Sequence, residues 1–150
     1  MRALIQRVKK AEVVVDEEVI ASIEKGLLLF VALHTDDTKD DFNYIINKAL
    51  NLRIFENDKG LFDKSVKDLN LEILVVSQFT LYGDTRKGRR PSFTRSMPVS
   101  QAKLYFKEFM RMFKEIYPDV KSGKFQAHME VSLINDGPVT VFLDSNKEFY

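Results

Sequence analysis

An apolar run near the middle of the chain, LEILVVSQFTL at residues 71–81, constrains the fold more than any other segment. Its core, Ile73–Val76, is rich in β-branched residues and has no polar face. A run of this kind is typical of a strand that is covered on both sides. The segment therefore predicts a central strand of a sheet.

The end of this predicted strand is polar, because hydroxyl and amide side chains enter at SQFTL (77–81). Strand side chains alternate, so we expect Gln78 and Thr80 on one face and Ser77 and Phe79 on the other. A central strand that turns polar as it leaves the core can form the floor of an active site or binding pocket. The alternative is a strand end that is simply exposed to water, and this segment alone does not decide between the two.

Composition restricts the class of protein. With 150 residues, of which 45% are hydrophobic and 30% charged, we expect one globular domain over residues 1–150. No apolar run is long enough to span a membrane, and the first residues lack a signal-peptide pattern. The net charge of +1 does not by itself indicate a nucleic-acid binder, and the absence of cysteine suits a reducing cytosol.

The first 33 residues predict strands. Met1–Val8 alternates loosely, Ala11–Val15 is β-branched, and Val19–Ile23 is expected to return from a turn as the second strand of a hairpin. Leu27–Leu33 is uniformly apolar, which predicts another buried central strand. Arg7 lies in the first of these segments, and its residue type predicts a solvated position on the strand.

The most acidic segment, HTDDTKDD at 34–41, places four aspartates beside a histidine. Such a cluster could hold a divalent metal, but Thr38 or Asp37 can instead cap a helix that has acidic residues in its first turn. Apolar residues at helical spacing then predict an amphipathic helix near 39–50. Neither histidine of the chain has a second one at ligand spacing, so no metal or cofactor is predicted.

Residues 98–116 carry the clearest helical pattern, and Pro118 ends it. Short strand-like segments at 52–55 and 61–62 lie between the first helix and the central strand. The whole pattern predicts an α+β fold with antiparallel or mixed β-sheets and two main amphipathic helices in a single domain. One apolar stripe of the second helix is expected to pack on a sheet: Tyr105, Phe106, Phe109, Met110, Phe113 and Ile116.

A loop with five cations and no acid between residues 86 and 95 follows the central strand. Such a cluster can be merely solvated. Its position directly after the polar strand end makes contact with phosphate groups a second interpretation. Tyr82 and Phe93 flank the loop and can either pack or stack on a base.

The C-terminal part contains a second polar motif, Asn135-Asp136-Gly137-Pro138, between strand-like segments at 125–133 and 139–143. A hairpin turn is the simplest interpretation. A Gly-Pro bond can also be cis, and the glycine then leaves the main chain unshielded by a Cβ. The sequence does not say which isomer is present.

The motifs SQFTL (77–81) and NDGPVT (135–140) stand in this order with MRALIQRV (1–8), LNLRIF (50–55) and KGRRPSF (87–93). Together they resemble the D-aminoacyl-tRNA deacylase family, which includes the D-tyrosyl-tRNA(Tyr) deacylases. The resemblance extends from Met1 to about Ser145 and implies the barrel-like fold of that family.

The resemblance implies a carboxylic ester hydrolase that cleaves the bond between a D-amino acid and the 3′-terminal adenosine of tRNA. This would be chiral proofreading in the cytoplasm, a form of translation quality control. Glycyl-tRNA mischarged on an alanine tRNA is a further implied substrate. The family is homodimeric, with active sites at the subunit interface, and its resemblance implies neither a cofactor nor a membrane.

In the family, a Gly-Pro motif with a cis bond reaches into the partner's pocket and excludes L-aminoacyl groups. Carried over, Gly137-Pro138 would be this chirality filter, and Arg7 would hold its orientation. Main-chain atoms without a Cβ approach the substrate α-carbon closely, which leaves room for hydrogen but not for an L side chain.

The SQFT residues Ser77, Gln78, Phe79 and Thr80 are the catalytic candidates. Thr80 is the obvious nucleophile, but a threonine nucleophile needs a base, and no histidine is demonstrably near it. The alternative, favoured by the resemblance, is that Thr80 only positions the ester while the 2′-hydroxyl of the substrate adenosine assists attack by water. The main-chain amides around Gln78, Phe79 and Thr80 would then stabilise the oxyanion.

Phe125 and Met129 match family positions that line the adenosine pocket. Two neighbours depart from the family pattern: Gln126 stands where glycine is common, and His128 replaces a residue that is more often apolar or small.

Two other functions fit parts of the sequence. A related deacylase acts on the L-alanyl ester mischarged on a threonine tRNA, but that subfamily departs from both SQFTL and the Gly-Pro motif. A non-catalytic module that binds RNA ends would need only the cationic loop. Selective turnover of D-aminoacyl-tRNA separates these interpretations.

Overall fold

The computed structural model describes residues 1–149, and Tyr150 lies outside the described residues. The α+β class with two main helices is confirmed, and no described helix is long and apolar enough to cross a membrane. The elements in chain order are β1 (Arg2–Val15), β2 (Glu18–Ile23), β3 (Gly26–Ala32), α1 (Lys39–Asn51), β4 (Phe55–Glu56), β5 (Phe62–Lys64), β6 (Glu72–Ser77), a 3₁₀ helix (Phe79–Tyr82), α2 (Val99–Ile116), β7 (Val120–Ser122) and β8 (Glu130–Asp144).

One mixed sheet of six strands organises the fold, in the order β2-β1-β3-β6-β7 with β8 paired to β1. The β3–β6 and β6–β7 pairs are parallel, and the remaining pairs of this sheet are antiparallel. The sheet curls toward a barrel, which brings β7 and β2 from opposite ends of the strand order close together. Lys121 on β7 donates from Nζ to the carbonyl oxygen of Ser22 on β2 at 2.8 Å. The β4–β5 hairpin forms a separate small sheet.

The two central strands are buried on both faces, as the sequence predicted. Leu29 on β3 and Val75 on β6 pack toward the helices, whereas Leu28 and Leu74 fill the interior of the curled sheet. All four side chains are fully buried. Gly26 begins β3 where β6 lies so close that a Cβ would stand 2.0 Å from the carbonyl oxygen of Glu72.

The first helix begins as predicted. Thr38 caps α1 and forms a capping box with Asp41. The Thr38 side chain accepts a hydrogen bond from the main-chain amide of Asp41, and the Asp41 side chain accepts one from the main-chain amide of Thr38. Asp37 is not the cap; its buried carboxylate accepts a hydrogen bond from the Met1 ammonium group. Within residues 1–149, no cluster of metal-ligating side chains accompanies these aspartates.

The second helix packs its aromatic stripe on the sheet, with one exception. Phe106, Phe109 and Phe113 are buried, but Ile116 is exposed, so its predicted place in the stripe is wrong. The helix ends there, and Tyr117 turns back to the core instead, donating from its hydroxyl to the carbonyl oxygen of Leu71 at 2.6 Å.

The two strand-like segments at 1–8 and 11–15 form one strand of 14 residues. The segment predicted as a strand at 125–133 begins only at Glu130, and it continues without a turn to Asp144. Both differences have the same cause: β1 and β8 pair along almost their whole lengths, which no local pattern reveals.

The hairpin predicted at 135–138 is therefore wrong. Gln6 pairs with Thr140 and Val8 pairs with Asn135, so the segment between them on β8 stands opposite Arg7 alone. The motif is a protrusion from a continuous antiparallel pair, comparable to an enlarged β-bulge. Bulges of this kind re-aim the main chain, which fits a segment presented to a ligand or partner.

Candidate active site

A cavity of about 580 Å³ opens where β3 and β6 end. Its other walls are the N-terminal turns of α2 and the segment before β8. The lining is mainly apolar, with a few polar side chains at the floor and rim. This combination is typical of a pocket that binds a small organic group, and its size suits a nucleoside.

The floor of the cavity is formed by the SQFT motif, but in a different conformation from the one predicted. The main chain leaves the sheet at Gln78, and residues 79–82 form the 3₁₀ helix, so the predicted continuation of the strand is wrong. The cause is that β3 ends at Ala32, which leaves the chain without a strand to pair with. Ser77, Gln78 and Phe79 consequently all line the cavity instead of alternating between two faces.

The main-chain amides of this turn are not equivalent. Gln78 N already donates to the carbonyl oxygen of Val31 at 2.7 Å. Leu81 N makes the first bond of the 3₁₀ turn, to the carbonyl oxygen of Gln78 at 3.2 Å. The amides of Phe79 and Thr80 precede that bond, and the first N–H groups of a helix have no partner within it.

Thr80 lies beside the floor, and its hydroxyl has one side-chain partner among residues 1–149. Gln78 donates from Nε2 to Thr80 Oγ1 at 2.6 Å. A carboxamide nitrogen cannot accept a proton, so this contact orients the hydroxyl and does not activate it. Of the described residues that line the cavity, none is an aspartate or glutamate, and His128 is the only histidine.

The floor is held from below by Arg2. Arg2 donates from Nη1 to the carbonyl oxygen of Leu81 at 3.0 Å, and its guanidinium lies 4.3 Å from the ring centre of Tyr82. Burial raises the pKa of the Tyr82 phenol well above its usual range, so that this group stays neutral. The 3₁₀ helix is thus anchored by a buried cation at its C-terminal end, which also suits the helix dipole.

Ser96 and Phe106 are among the wall residues that were not identified from sequence as part of a site. Ser96 donates from Oγ to the carbonyl oxygen of Phe79 at 3.1 Å, which fixes the floor from the side. Phe106, assigned only to the core stripe, lines the cavity and packs on Phe125 with ring centres 5.5 Å apart. Helical spacing places Phe106 on the same face as Ala102, and this was the sequence signal that could have assigned Phe106 to the cavity wall. The sequence carries no comparable signal for Ser96.

Phe125 and Met129 both line the cavity, with Gln126 and His128 between them. Gln126 has φ +65°, a left-handed conformation that favours glycine. Met129 packs so tightly on Gly123 that a Cβ there would stand 2.7 Å from its sulfur. The departure from glycine at position 126 therefore falls where the main chain is least suited to a side chain.

The Gly137-Pro138 bond is cis. Both residues are exposed, and neither they nor Arg7 are among the described residues that line the cavity of their own chain. Gly137 has φ +132°, and a Cβ there would meet a Val139 methyl group at 2.8 Å and Arg7 Nη2 at 3.0 Å. Only glycine fits this position without a shift of its neighbours.

Arg7 lies under the protrusion and is buried, so the predicted solvated position is wrong. It donates from Nε to the carbonyl oxygen of Asp136 at 2.9 Å and from Nη1 to that of Ile54 at 2.7 Å. Glu56 Oε1 lies 3.5 Å from Nη2 and supplies an opposite charge. These acceptors compensate the burial of the guanidinium, and they attach the protrusion to the β4 region.

An α+β protein with an apolar cavity, a floor amide at Phe79 that has no partner among the described residues, and no charged side chain among the described lining residues fits the class of acyl-ester hydrolases. A family model described as D-Tyr-tRNA(Tyr) deacylase matches residues 4–144. The chain therefore belongs to this family.

Relatives of full length support the assignment. The chain is 50% identical over 149 residues to the D-aminoacyl-tRNA deacylase of Thermotoga petrophila, covering 99% of this chain and 100% of that one. It is 51% identical, with the same coverage, to the enzyme of that name from Thermosipho africanus.

Solved structures show the same fold. A chain described as a c-Myc DNA unwinding element binding protein is 40% identical, with a TM-score of 0.91 over 96% of this chain and 98% of that one. A structure described as a probable eukaryotic D-amino acid tRNA deacylase superposes with a TM-score of 0.82 over 95% and 97% of the two chains. At 16% identity, the second likeness concerns the fold alone.

Proposed function

We propose that this protein hydrolyses D-aminoacyl-tRNA and releases the free D-amino acid and tRNA. Membership of the family supports the reaction. The observation that carries the proposal to this chain is the turn at the cavity floor. Ser77, Gln78 and Phe79 line the cavity there, and no described residue accepts a hydrogen bond from the main-chain amides of Phe79 and Thr80. The enzyme acts in the cytoplasm, where charged tRNA is used.

The cavity receives the 3′-terminal adenosine, with Phe125 and Met129 against the base. The ester carbonyl then points to the floor and accepts hydrogen bonds from Phe79 N and Thr80 N. Gln78 N, which the sequence included among the donors, is excluded because it is bonded to β3. A single donor to a developing oxyanion contributes about 2.7–4 kcal/mol to catalysis in other hydrolases.

The attacking group is water, assisted by the 2′-hydroxyl of the substrate adenosine. Water oxygen adds to the carbonyl carbon, the bond to O3′ breaks, and a proton passes by way of the 2′-hydroxyl to O3′. The hydrogen bond from the Gln78 amide to Thr80 supports this route over a threonine nucleophile, because no described residue that could act as a base is hydrogen-bonded to the hydroxyl. Thr80 positions the ester, and no covalent intermediate forms.

The enzyme is a homodimer in which Gly137-Pro138 of one subunit completes the cavity of the other. Their exposure, and their absence from the described lining of their own cavity, support a role across an interface. Arg7 holds the protrusion through Asp136, and the missing Cβ lets the main chain approach the substrate α-carbon. An L side chain clashes there, whereas D-aminoacyl and glycyl groups fit, including glycine mischarged on an alanine tRNA.

The experiment that tests this function compares single-turnover hydrolysis of D-tyrosyl-tRNA, L-tyrosyl-tRNA and L-alanyl-tRNA(Thr) by the purified protein. Glycyl-tRNA(Ala) is assayed in the same way, and release from it and from the D-ester, with the L-esters intact, is the expected result. Release of L-alanine would assign the chain to the other deacylase. RNA binding without hydrolysis of any ester would identify a binding module and refute the proposal.

A further inference from the structure

The mouth of the cavity lies next to a cationic loop, residues 84–92, that the proposed chemistry does not use. Lys87, Arg89 and Arg90 are exposed, and no described residue supplies an acidic group within ion-pair distance of them. The other cations nearby are neutralised: Arg86 pairs with Asp84 at 2.6 Å, and Arg95 pairs with Glu148. The uncompensated charge is thus concentrated in residues 87–90.

The base of the cationic loop is fixed. Asp84 and Ser92 exchange two main-chain hydrogen bonds, at 2.8 and 2.9 Å, which close the loop as a small antiparallel bridge. Asp84 also accepts from the main-chain and side-chain nitrogens of Arg86, and this contact holds the pKa of the Asp84 carboxyl below its usual range. Asp84 therefore remains ionised, and its charge is directed to Arg86, not to the three free cations.

The loop is attached directly to the rim of the cavity. Phe93, the next residue after the bridge, lines the cavity and packs edge-on to Phe79 with ring centres 5.0 Å apart. Arg89 and Arg90 precede Phe93 by four and three residues, so they lie within about 14 Å of it even with the chain fully extended. Arg89 and Arg90 are consequently within reach of the entrance, on the side where Phe79 begins the floor, and Lys87 lies on the same loop.

We propose that Lys87, Arg89 and Arg90 bind phosphate groups of the single-stranded 3′ end of the tRNA as it enters the cavity. The inference rests on the proposed function, since it takes the terminal adenosine as the cavity's ligand. A ribonucleotide chain whose last nucleoside is buried must carry its preceding phosphates past the rim. Exposed guanidinium and ammonium groups without acidic partners are the side chains that recognise such phosphates.

The triple variant K87Q/R89Q/R90Q tests this role. The matched control is K103Q/K107Q/K114Q, which removes the same charge from exposed positions along α2. The first measurement is binding of a short RNA that ends in CCA and carries no amino acid, by fluorescence anisotropy over a range of salt concentrations. The second is single-turnover hydrolysis of D-tyrosyl-tRNA and of D-tyrosyl-adenosine, which lacks the phosphates.

The loop variant is expected to bind the RNA at least tenfold more weakly at low salt. The logarithm of the binding constant falls as the logarithm of the salt concentration rises. The steepness of this fall should be smaller by roughly 0.7 for each phosphate that the variant no longer neutralises. Hydrolysis of D-tyrosyl-tRNA should fall in parallel, whereas hydrolysis of D-tyrosyl-adenosine should stay within about twofold of the native rate. The α2 control should retain native RNA binding and the native salt slope.

Equal decreases in RNA binding by the loop and α2 variants would overturn the proposal, because net charge alone would then explain them. Native RNA binding by the loop variant would also overturn it, even if the native protein hydrolyses D-esters normally. If the native protein instead hydrolyses neither D-ester while the loop variant alone fails to bind RNA, the proposed function fails and the phosphate-binding role stands.

Discussion

Gln78 Nε2 donates a hydrogen bond to Thr80 Oγ1 at 2.6 Å, across the point where the central strand becomes a 3₁₀ helix. The donor is a carboxamide, so the contact restrains the threonine without making it more nucleophilic. The main-chain amides of Phe79 and Thr80 make no main-chain hydrogen bond within this turn. The local geometry thus favours oxyanion binding over nucleophilic attack by the protein.

Replacing Thr80 with alanine is expected to slow single-turnover hydrolysis of D-tyrosyl-tRNA by no more than about tenfold, the worth of one neutral hydrogen bond. Thr85→Ala, at an exposed position of the cationic loop, is the control and should keep the native rate. Quenched-flow measurement of released amino acid gives the comparison. Isolation of an acyl group bound to Thr80 would contradict the mechanism.

Arg7→Gln removes the guanidinium that holds the protrusion and leaves the carbonyl groups of Ile54 and Asp136 short of a donor. We expect a decrease of about 1.5–3 kcal/mol in the free energy of unfolding, as for buried hydrogen bonds to a charged group. The ratio of D- to L-ester hydrolysis should fall as well, because the protrusion is no longer held in place.

Urea unfolding and the two hydrolysis rates measure these effects. Arg53→Gln is the matched control, since Arg53 makes its ion pair with Asp63 at the surface, where such pairs contribute little. The role assigned to Arg7 is wrong if both variants unfold at the same urea concentration and keep the native D/L ratio.

Gln126→Gly is expected to stabilise the protein, because φ +65° is unfavourable for a residue with a Cβ. The gain should not exceed about 1 kcal/mol, since glycine also raises the entropy of the unfolded chain. Urea unfolding measures it, with Lys124→Gly as the control at a neighbouring exposed position. A decrease in stability at position 126 equal to that at 124 would show that the left-handed conformation is not costly.

Glu108 links the two helices, and its position predicts a pH-dependent contribution to stability. Hydrogen bonding to Arg111, and then to Lys39, lowers the pKa of Glu108 to about 2. A carboxyl whose pKa is lower in the folded state stabilises that state above the unfolded pKa and ceases to do so as the pH falls toward the folded one. The contribution is therefore complete above about pH 4.5 and declines between about 4.5 and 2.

Glu108→Gln should accordingly lower the urea midpoint at about pH 7 more than at about pH 3. The effect is small, because the carboxyl is on the surface. Glu18→Gln, which removes an exposed acid for which no ion pair is found within residues 1–149, should show no such difference. An equal shift of the Glu108→Gln midpoint at both pH values would contradict the assigned role.

The sequence was sufficient where burial decides the structure. Leu28 and Leu74 are apolar whichever core they face, so the two central strands could be predicted, and Thr38 marks the start of α1 by local chemistry alone. Prediction failed where the local conformation depends on pairing with a strand that is distant in the sequence. The turn at Gln78 depends on where β3 ends, and the protrusion at Gly137 depends on its register against β1.

Arg7 shows the same limit for side chains. Arginine is mostly exposed, so an exposed position was the sound expectation from residue type. Its burial depends on acceptors that lie 47 and 129 residues away along the chain, at Ile54 and Asp136. Only the resemblance to a family connected Arg7 with Gly137, and only the structure shows the contacts through which it could act.

The central claim is that the cavity of one subunit and Gly137-Pro138 of its partner form one active site. Mixing two inactive variants tests it most directly. Val99→Trp places an indole at the cavity wall from an exposed position, and Gly137→Ala adds a Cβ to the protrusion. Each variant is first shown to be folded and inactive, and the two are then unfolded and refolded together.

Random pairing makes about half of the dimers mixed, and each mixed dimer has one native cavity facing one native protrusion. The shared site predicts recovery of about a quarter of the native D-tyrosyl-tRNA hydrolysis, with L-tyrosyl-tRNA still rejected. Mixed dimers that form but remain as inactive as their parents would contradict it.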